Sequence, residues 1–425
     1  MSDLSRSPTN ATDNIDPITT TLSQTYLNAH QLQTHHKAQS HPEGVNLTVS
    51  RTIGPETPIP HQSPFLLLDH FSLVSTPATG TAGFPDHPHH GQETITYLLS
   101  GSVAHEDFIG NKGLITKGGL QVMFAGKGIV HAEMPILNSA KRGKPQLEKV
   151  EGIQLWLDLP KELKTGKPKY KDITEDKIPT VTAEDGQVKV KVVSGEAYGV
   201  KSKLKSLSYA FPQLVFYDYE VTPNLCKVEG AEMNGESGAL DIKQYIPNGF
   251  TILLYVLQGT LTISTDRSPT LLRSQTIALF EPEGDHLHVK IQHPKNKPTT
   301  TRFIIIAAPP ILTAEQINTS YQPVHMEGPF VETSKEKLQQ VIENYQLGIK
   351  GFEKSKGWKS SIRDGVTFDY LNNDQDDKGD ENWGDERNRR SNGKKKVNGA
   401  KVLGNLQNEN SRSGKGKKSS GNGKR

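Results

Sequence analysis

The sequence holds a single cysteine, Cys226, in 425 residues. One thiol forms no internal disulfide and cannot supply a four-thiolate zinc centre. Disulfide scaffolds and thiolate metal sites are therefore excluded. Long apolar runs are also missing, and nothing approaches the roughly 18 consecutive apolar residues of a spanning helix. The start, Met1-Ser-Asp-Leu-Ser-Arg6, is polar and lacks the apolar stretch of a secretory signal. Apolar residues make up only 33% of the chain, which implies that part of it does not fold. These absences lead us to expect a protein of the nucleus, the cytoplasm or both, with no membrane contact.

The net charge of +3 conceals an internal cancellation. Residues 1–363 carry 36 basic and 37 acidic side chains, a balance of −1. Residues 364–386 carry nine acids and one Lys, giving −8, and residues 387–425 carry thirteen Lys and Arg against Glu409 alone, giving +12. A near-neutral body thus precedes an acidic block and then a basic one. Any nucleic-acid contact belongs to the basic tail, and it is weak and non-specific because no aromatic side chain interleaves after Trp383.

What is present is β-like. Residues 1–44, rich in Ser, Thr, Asn, Gln and His, read as a disordered arm. From Val45 onward, apolar runs of 4–8 residues such as Thr94 to Leu99 and Val188 to Val193 are cut by Gly, Asn and Pro. That pattern predicts an all-β sandwich or barrel. Ile95-Thr-Tyr-Leu-Leu-Ser-Gly101 resembles Leu253-Leu-Tyr-Val-Leu-Gln-Gly259, a weak repeat that implies two related barrels divided near Tyr198 to Ser208. The expected organisation is a first domain over 45–200, a second over 201–362, and a disordered tail over 363–425. One helix stands out near the end. Thr333 and Glu336 form a capping box, Leu338, Val341, Ile342, Tyr345 and Ile349 share a face, and Gly348 and Gly351 are stop signals.

The chemistry concentrates in Pro85-Asp-His87-Pro-His89-His-Gly-Gln-Glu93 and in Gly128-Ile-Val-His131-Ala-Glu133-Met-Pro135. On a strand, residues i and i+2 face the same side, so His87 and His89 can reach one ion together, as can His131 and Glu133. Three imidazoles and a carboxylate leave two of six octahedral positions open. This donor set suits iron, manganese, nickel or copper better than calcium or magnesium. A further i, i+2 pair, His286-Leu-His288, has no acidic partner at such spacing and reads as structural.

The stretch from Phe84 to Pro135, with PDHPHHGQETITYLL and AGKGIVHAEMP, resembles the N-terminal domain of the pirin family. The resemblance continues through Val193-Ser-Gly-Glu-Ala-Tyr-Gly199 and Gly328-Pro-Phe-Val331 to Gly351-Phe-Glu-Lys-Ser-Lys-Gly-Trp358, covering about residues 45–362. It implies a bicupin: two cupin-type antiparallel β-barrels with a C-terminal helix, a monomer holding one Fe(II) in its first barrel. Carried over, the ligands are His87, His89, His131 and Glu133. The general cupin pattern would instead make Glu93 the acidic ligand, and Glu93 ranks second. Two departures from the family pattern flank the metal strand: His90 stands where Arg is usual, and Gln92 where an apolar or aromatic residue is usual. Both bear on pocket polarity and substrate preference.

The resemblance implies two roles. In one, the protein is a quercetin 2,3-dioxygenase-like Fe(II) enzyme acting on a flavonol-like small molecule, with Glu133 as general base. In the other it is a nuclear, iron-dependent cofactor that binds a transcription factor without turnover. The tail bears on the second role, because Arg387-Asn-Arg-Arg390, a three-residue spacer and Lys394-Lys-Lys396 resemble a two-part nuclear localisation signal.

Overall fold

Short runs rich in Val, Ile, Leu and Thr, closed by turn residues, fold as antiparallel strands. The computed structural model describes residues 26–366 except 75–81, 137, 142–143, 148, 205, 223–238, 267, 293–298 and 314–319. A seven-stranded sheet runs, in hydrogen-bonded order, Lys169–Ile173, Leu120–Phe124, Gln92–Ser100, Lys149–Asp158, Phe65–Val74, Leu47–Ile53 and Gln39–Glu43. A four-stranded sheet of Phe84–His89, Ile129–Pro135, Ser102–Asp107 and Lys112–Thr116 packs against it.

A second pair of sheets repeats this order, except that its end strand Leu32–Lys37 comes from the N-terminal arm. Its seven-stranded sheet is Leu32–Lys37, Thr276–Phe280, Thr251–Gln258, Thr301–Ala308, Val215–Val221, Val188–Ser194 and Thr180–Ala183. Its four-stranded sheet is Leu240–Tyr245, His286–Ile291, Thr260–Ile263 and Thr270–Arg273. The weak repeat seen in the sequence marks equivalent points. Gly101 (φ 74°) and Gly259 (φ 77°) each carry the chain from the large sheet to the small one. A Cβ at either would lie 2.9 Å from a backbone oxygen, of Lys149 and of Thr300 respectively, so both the left-handed turn and the close approach require glycine.

Strand alternation decides where each side chain goes. On Gln92–Ser100 and Lys149–Asp158, Ile95, Tyr97, Ile153, Leu155 and Leu157 face out of the first barrel. They pack against Phe216, Leu253, Tyr255, Ile304 and Ile306 of the second. A buried polar link crosses the same interface: Tyr97 Oη donates to Asp218 Oδ2 (2.6 Å), and Arg302 grips both Asp218 oxygens at 2.9 and 2.6 Å. The second barrel is filled with apolar side chains, including Val190, Ile242, Leu254, Leu287 and Val289. The first is apolar only at one end, around Val49, Phe71, Leu98, Val103 and Val150.

Two expectations are corrected. The arm expected to be disordered through residue 44 contains two strands, Leu32–Lys37 and Gln39–Glu43. Leu32–Lys37 is mostly exposed and has no apolar alternation, so it is held by backbone pairing to Thr276–Phe280, which its composition does not advertise. Sheet membership changes between Ile173 and Thr180 rather than near residue 200, because the strands from Thr180 onward pair into the second sheet. The chain also crosses back. The helix Lys335–Leu347 packs Leu338 and Val341 with Met123, Ala125 and Ile129 of the first barrel, although it follows the second in sequence.

The helix N-cap is Ser334, whose hydroxyl accepts from Lys337 N, one residue beyond the expected Thr333. Gly348 (φ 65°) ends the helix as expected, and Ile349 lies past its last turn. Among the described residues no helix is long and apolar enough to cross a membrane. Cys226, the first part of the arm and the acidic and basic blocks lie outside the described residues, apart from Asp364 at the start of the acidic one.

Candidate metal centre

His87 and His89 lie on the edge strand Phe84–His89, and His131 lies on Ile129–Pro135 beside it. The antiparallel register sets His131 directly opposite His87. Ring centroids are 4.9 Å apart for His87 and His89, 4.3 Å for His87 and His131, and 5.0 Å for His89 and His131. Among the described residues these three form the group able to hold a metal, each offering a donor atom within 4.8 Å of the others. Burial pushes the His89 and His131 rings well below the usual imidazole range, and the neighbouring imidazoles push the same way. Both rings are neutral at physiological pH, the form that binds metal.

The outer nitrogens fix the orientation of two of these rings. His87 Nδ1 donates to Pro85 O at 2.8 Å, which leaves Nε2 with a free lone pair. His131 Nδ1 lies 3.4 Å from Tyr170 Oη, whose own hydrogen points to Met123 Sδ at 2.9 Å. The His89 and His131 Nε2 atoms are buried without a hydrogen-bond partner. Two unpaired nitrogens inside a cluster of imidazoles are costly unless an ion binds them, so the residues fit a divalent transition metal.

Glu133 is buried on the same face of the same strand, with Oε2 3.9 Å from His131 Nε2. Thr96 Oγ1 lies 2.9 Å from Glu133 Oε1 and 2.6 Å from Gln154 Oε1, and its single hydrogen serves one of them. Gln154 Nε2 donates to Glu133 Oε2 at 3.4 Å. A cavity of about 450 Å³ opens onto His87 and Glu133. Its walls are largely apolar, with Leu67, Phe71, Phe84, Pro88, Trp156 and Met326 among them. One side also carries Arg51, which donates to Asp69 at 2.8 and 2.7 Å and to Glu43 at 2.6 Å.

Glu93, the second-ranked ligand, points elsewhere. It sits at an odd position of Gln92–Ser100, on the side that faces the second barrel. Its Oε2 accepts from Tyr209 N at 2.9 Å, and burial pushes its carboxyl up to about 7. The two family departures do not line the cavity either. His90 faces outward, its Nε2 3.0 Å from Glu332 Oε1, and so helps dock the hairpin of His325–Glu327 and Phe330–Glu332. The Gln92 Nε2 amide donates to Pro329 O at 2.9 Å and lies 2.7 Å from His89 Nδ1, so it touches a ring of the cluster rather than the cavity.

His286 and His288 are on the strand equivalent to that of His131. There Leu287, Val289 and Ile291 take the inward positions. The pair faces out and is used by Asp285 (2.7 Å) and Asp241 (2.5 Å), in keeping with the structural reading. Spacing alone did not single out Thr96, Gln154, Tyr170 or Trp156. The polar residues Gln92, Thr94 and Thr96, alternating with apolar ones, were the available signal for a polar barrel interior.

Family models for pirin and for the pirin C-terminal cupin domain match residues 46–157 and 234–351. Human pirin is 36% identical over 322 residues, spanning 75% of this chain and 93% of its own length. The chain belongs to the pirin family. A pirin-like protein of Solanum lycopersicum is 35% identical over 324 residues, covering 76% of this pirin and 94% of the tomato protein. The crystal structure of a quercetin 2,3-dioxygenase from Acinetobacter baumannii superimposes with a TM-score of 0.60 at 25% identity, covering 75% of this pirin and 98% of that chain. The two pairs of sheets described above are accordingly cupin domains.

Proposed function

We propose that this pirin is an Fe(II)-dependent dioxygenase of the quercetin 2,3-dioxygenase type, with His87, His89, His131 and Glu133 as ligands and a flavonol-like substrate. The observation that carries this reading is the cluster of three imidazoles, two of them buried and neutral, beside a mostly apolar cavity of about 450 Å³. Such a cavity admits a planar polycyclic molecule and excludes much of the water around it. The resemblance in structure to a quercetin 2,3-dioxygenase supports the same substrate class. When bound, the iron supplies Lewis acidity and one-electron chemistry toward O₂.

The chain's own groups do the rest. Leu67, Phe71 and Trp156 hold the flat rings, while Glu133, steadied by Thr96 and Gln154, takes the proton of the substrate hydroxyl. Incubating the iron-loaded protein with quercetin, with and without air, tests the reading. O₂-dependent loss of the flavonol absorbance is expected, and its absence would sink the enzymatic assignment.

A second reading, a nuclear iron-dependent cofactor for a transcription factor, is favoured by the basic clusters Arg387 to Lys396 and Lys415 to Lys418. Imaging the protein with and without residues 387–425 tests it. An unchanged distribution removes the localisation claim.

A further inference from the structure

The four-stranded sheet of the first barrel carries His87, His131 and Glu133 on its inner face. A short stretch near the C-terminus crosses its outer face. Ile362 is fully buried there against Ala104, Ala132 and Met134, and Ala132 separates His131 from Glu133. On either side of that contact a serine grips a carboxylate of the sheet. Ser360 Oγ donates to Asp86 Oδ1 at 2.6 Å, and Ser360 N lies 3.3 Å from both Asp86 oxygens. Ser361 donates through Oγ to Glu106 Oε1 and through N to Glu106 Oε2, each at 2.6 Å. Arg363 adds a looser contact to Asp86 at 3.6 Å.

These grips fall where the sheet is weakest. Phe84–His89 is an edge strand with one neighbour, and Pro85 and Pro88 donate no backbone hydrogen bond. Its register with Ile129–Pro135 slips between the pairs His131–His87 and Glu133–Phe84, which leaves Pro85 and Asp86 out of the ladder. Asp86 immediately precedes His87. The ligand strand is therefore held beside His87 by a side-chain anchor where backbone pairing fails. Glu106 performs the matching role from the other neighbour of the ligand strand, since it pairs with Ala132.

We infer that Ser360–Ile362 is a clasp that positions the metal-binding strands, with Ser360 and Asp86 setting His87, and Ser361, Glu106 and Ile362 setting His131 and Glu133. The inference rests on reading these residues as metal ligands. It adds that the geometry of the site depends on a segment more than 220 residues away in sequence. In sequence the clasp directly precedes the acidic block.

The test uses the full-length protein and Co(II), whose visible absorption reports coordination geometry. Co(II) affinity, the visible spectrum, melting of the apoprotein and amide exchange across residues 84–89 are compared. The variants are Ser360→Ala/Ser361→Ala, Asp86→Ala and Ser361→Thr. Ser355→Ala is the control, because its hydroxyl bonds Phe352 O within the same segment without touching the sheet. Loss of the clasp should weaken Co(II) binding about tenfold, the low end of the effect of groups that orient ligands. It should also alter the spectrum and speed exchange at 84–89, while Ser361→Thr and Ser355→Ala remain like wild type. A lower melting temperature with unchanged Co(II) affinity and spectrum would make the clasp merely structural and overturn the inference. If wild type itself fails to bind Co(II), the metal reading falls. Exchange then decides the clasp, with unchanged protection at 84–89 in the double variant refuting it.

Discussion

His131 sits directly opposite His87 across two antiparallel strands, with ring centroids 4.3 Å apart. This cross-strand pair brings two separate i, i+2 dyads to one place. Each dyad alone offers two side chains on one face, and the register alone decides that the faces coincide.

Removing a ring from that pair should remove the ion. His87→Ala and His131→Ala are expected to lose stoichiometric metal, measured by elemental analysis of purified protein against wild type. Glu133→Ala should lower occupancy as well. Full metal content in both His87→Ala and Glu133→Ala would refute the ligand assignment.

Tyr170 should act on the metal through His131. Its hydroxyl sits 3.4 Å from His131 Nδ1, and its ring is stacked nearly parallel to His105, with an interplanar angle of 4°. Tyr170→Phe keeps the stacking and deletes the partner of Nδ1 together with the hydroxyl's bond to Met123 Sδ. Metal affinity should fall roughly tenfold, with melting nearly unchanged. Chelator competition measures the first and thermal denaturation the second.

Glu93 should make stability fall as pH rises. Burial pushes its carboxyl from 4.5 up to about 7 in the folded protein, so between those values the native state holds a proton that the unfolded chain releases. The stabilisation is complete below about pH 4.5 and lost above about 7, and amounts to roughly 3 kcal/mol at most. Glu93→Gln should abolish this slope, so its stability relative to wild type should rise across that window. Urea unfolding at several pH values would show it, and parallel profiles would exclude it.

The link between the barrels should be sensitive to its central carboxylate. Asp218 is almost fully buried and serves both Tyr97 and Arg302. Asp218→Ala strands a guanidinium and a phenol together and should cost about 3–5 kcal/mol. Tyr97→Phe removes one neutral partner and should cost about 1 kcal/mol. The ratio, read from chemical denaturation, distinguishes a shared hub from two independent bonds.

Much of this architecture was legible because strand periodicity is local. Ile95 and Tyr97 alternate with Thr94 and Thr96, which announces a strand with one apolar and one polar face whatever its partners. The helix face through Leu338 and Val341 was equally plain. The same local logic could not name partners. Leu32–Lys37 joins the second sheet, and the helix joins the first barrel, through contacts made only after the chain has crossed between domains. Glu93 and Glu133 were both acids near the histidines, and only the face of each strand separates them. His286 and His288 share the spacing of His87 and His89, yet Leu287 and Val289 take the interior and turn the pair outward.

The sequence by itself determined an all-β chain with two similar halves, a neutral body, charged blocks at the end and four residues of metal-ligand type. Residue chemistry and the two-residue period are properties of short segments and need no fold to be read. The tertiary structure alone decided that three imidazoles meet with two nitrogens unpaired, that Glu93 faces away, and that Ser360 and Ser361 brace the sheet from behind. Those facts depend on register and on long-range pairing, and a one-residue shift in either would reverse them.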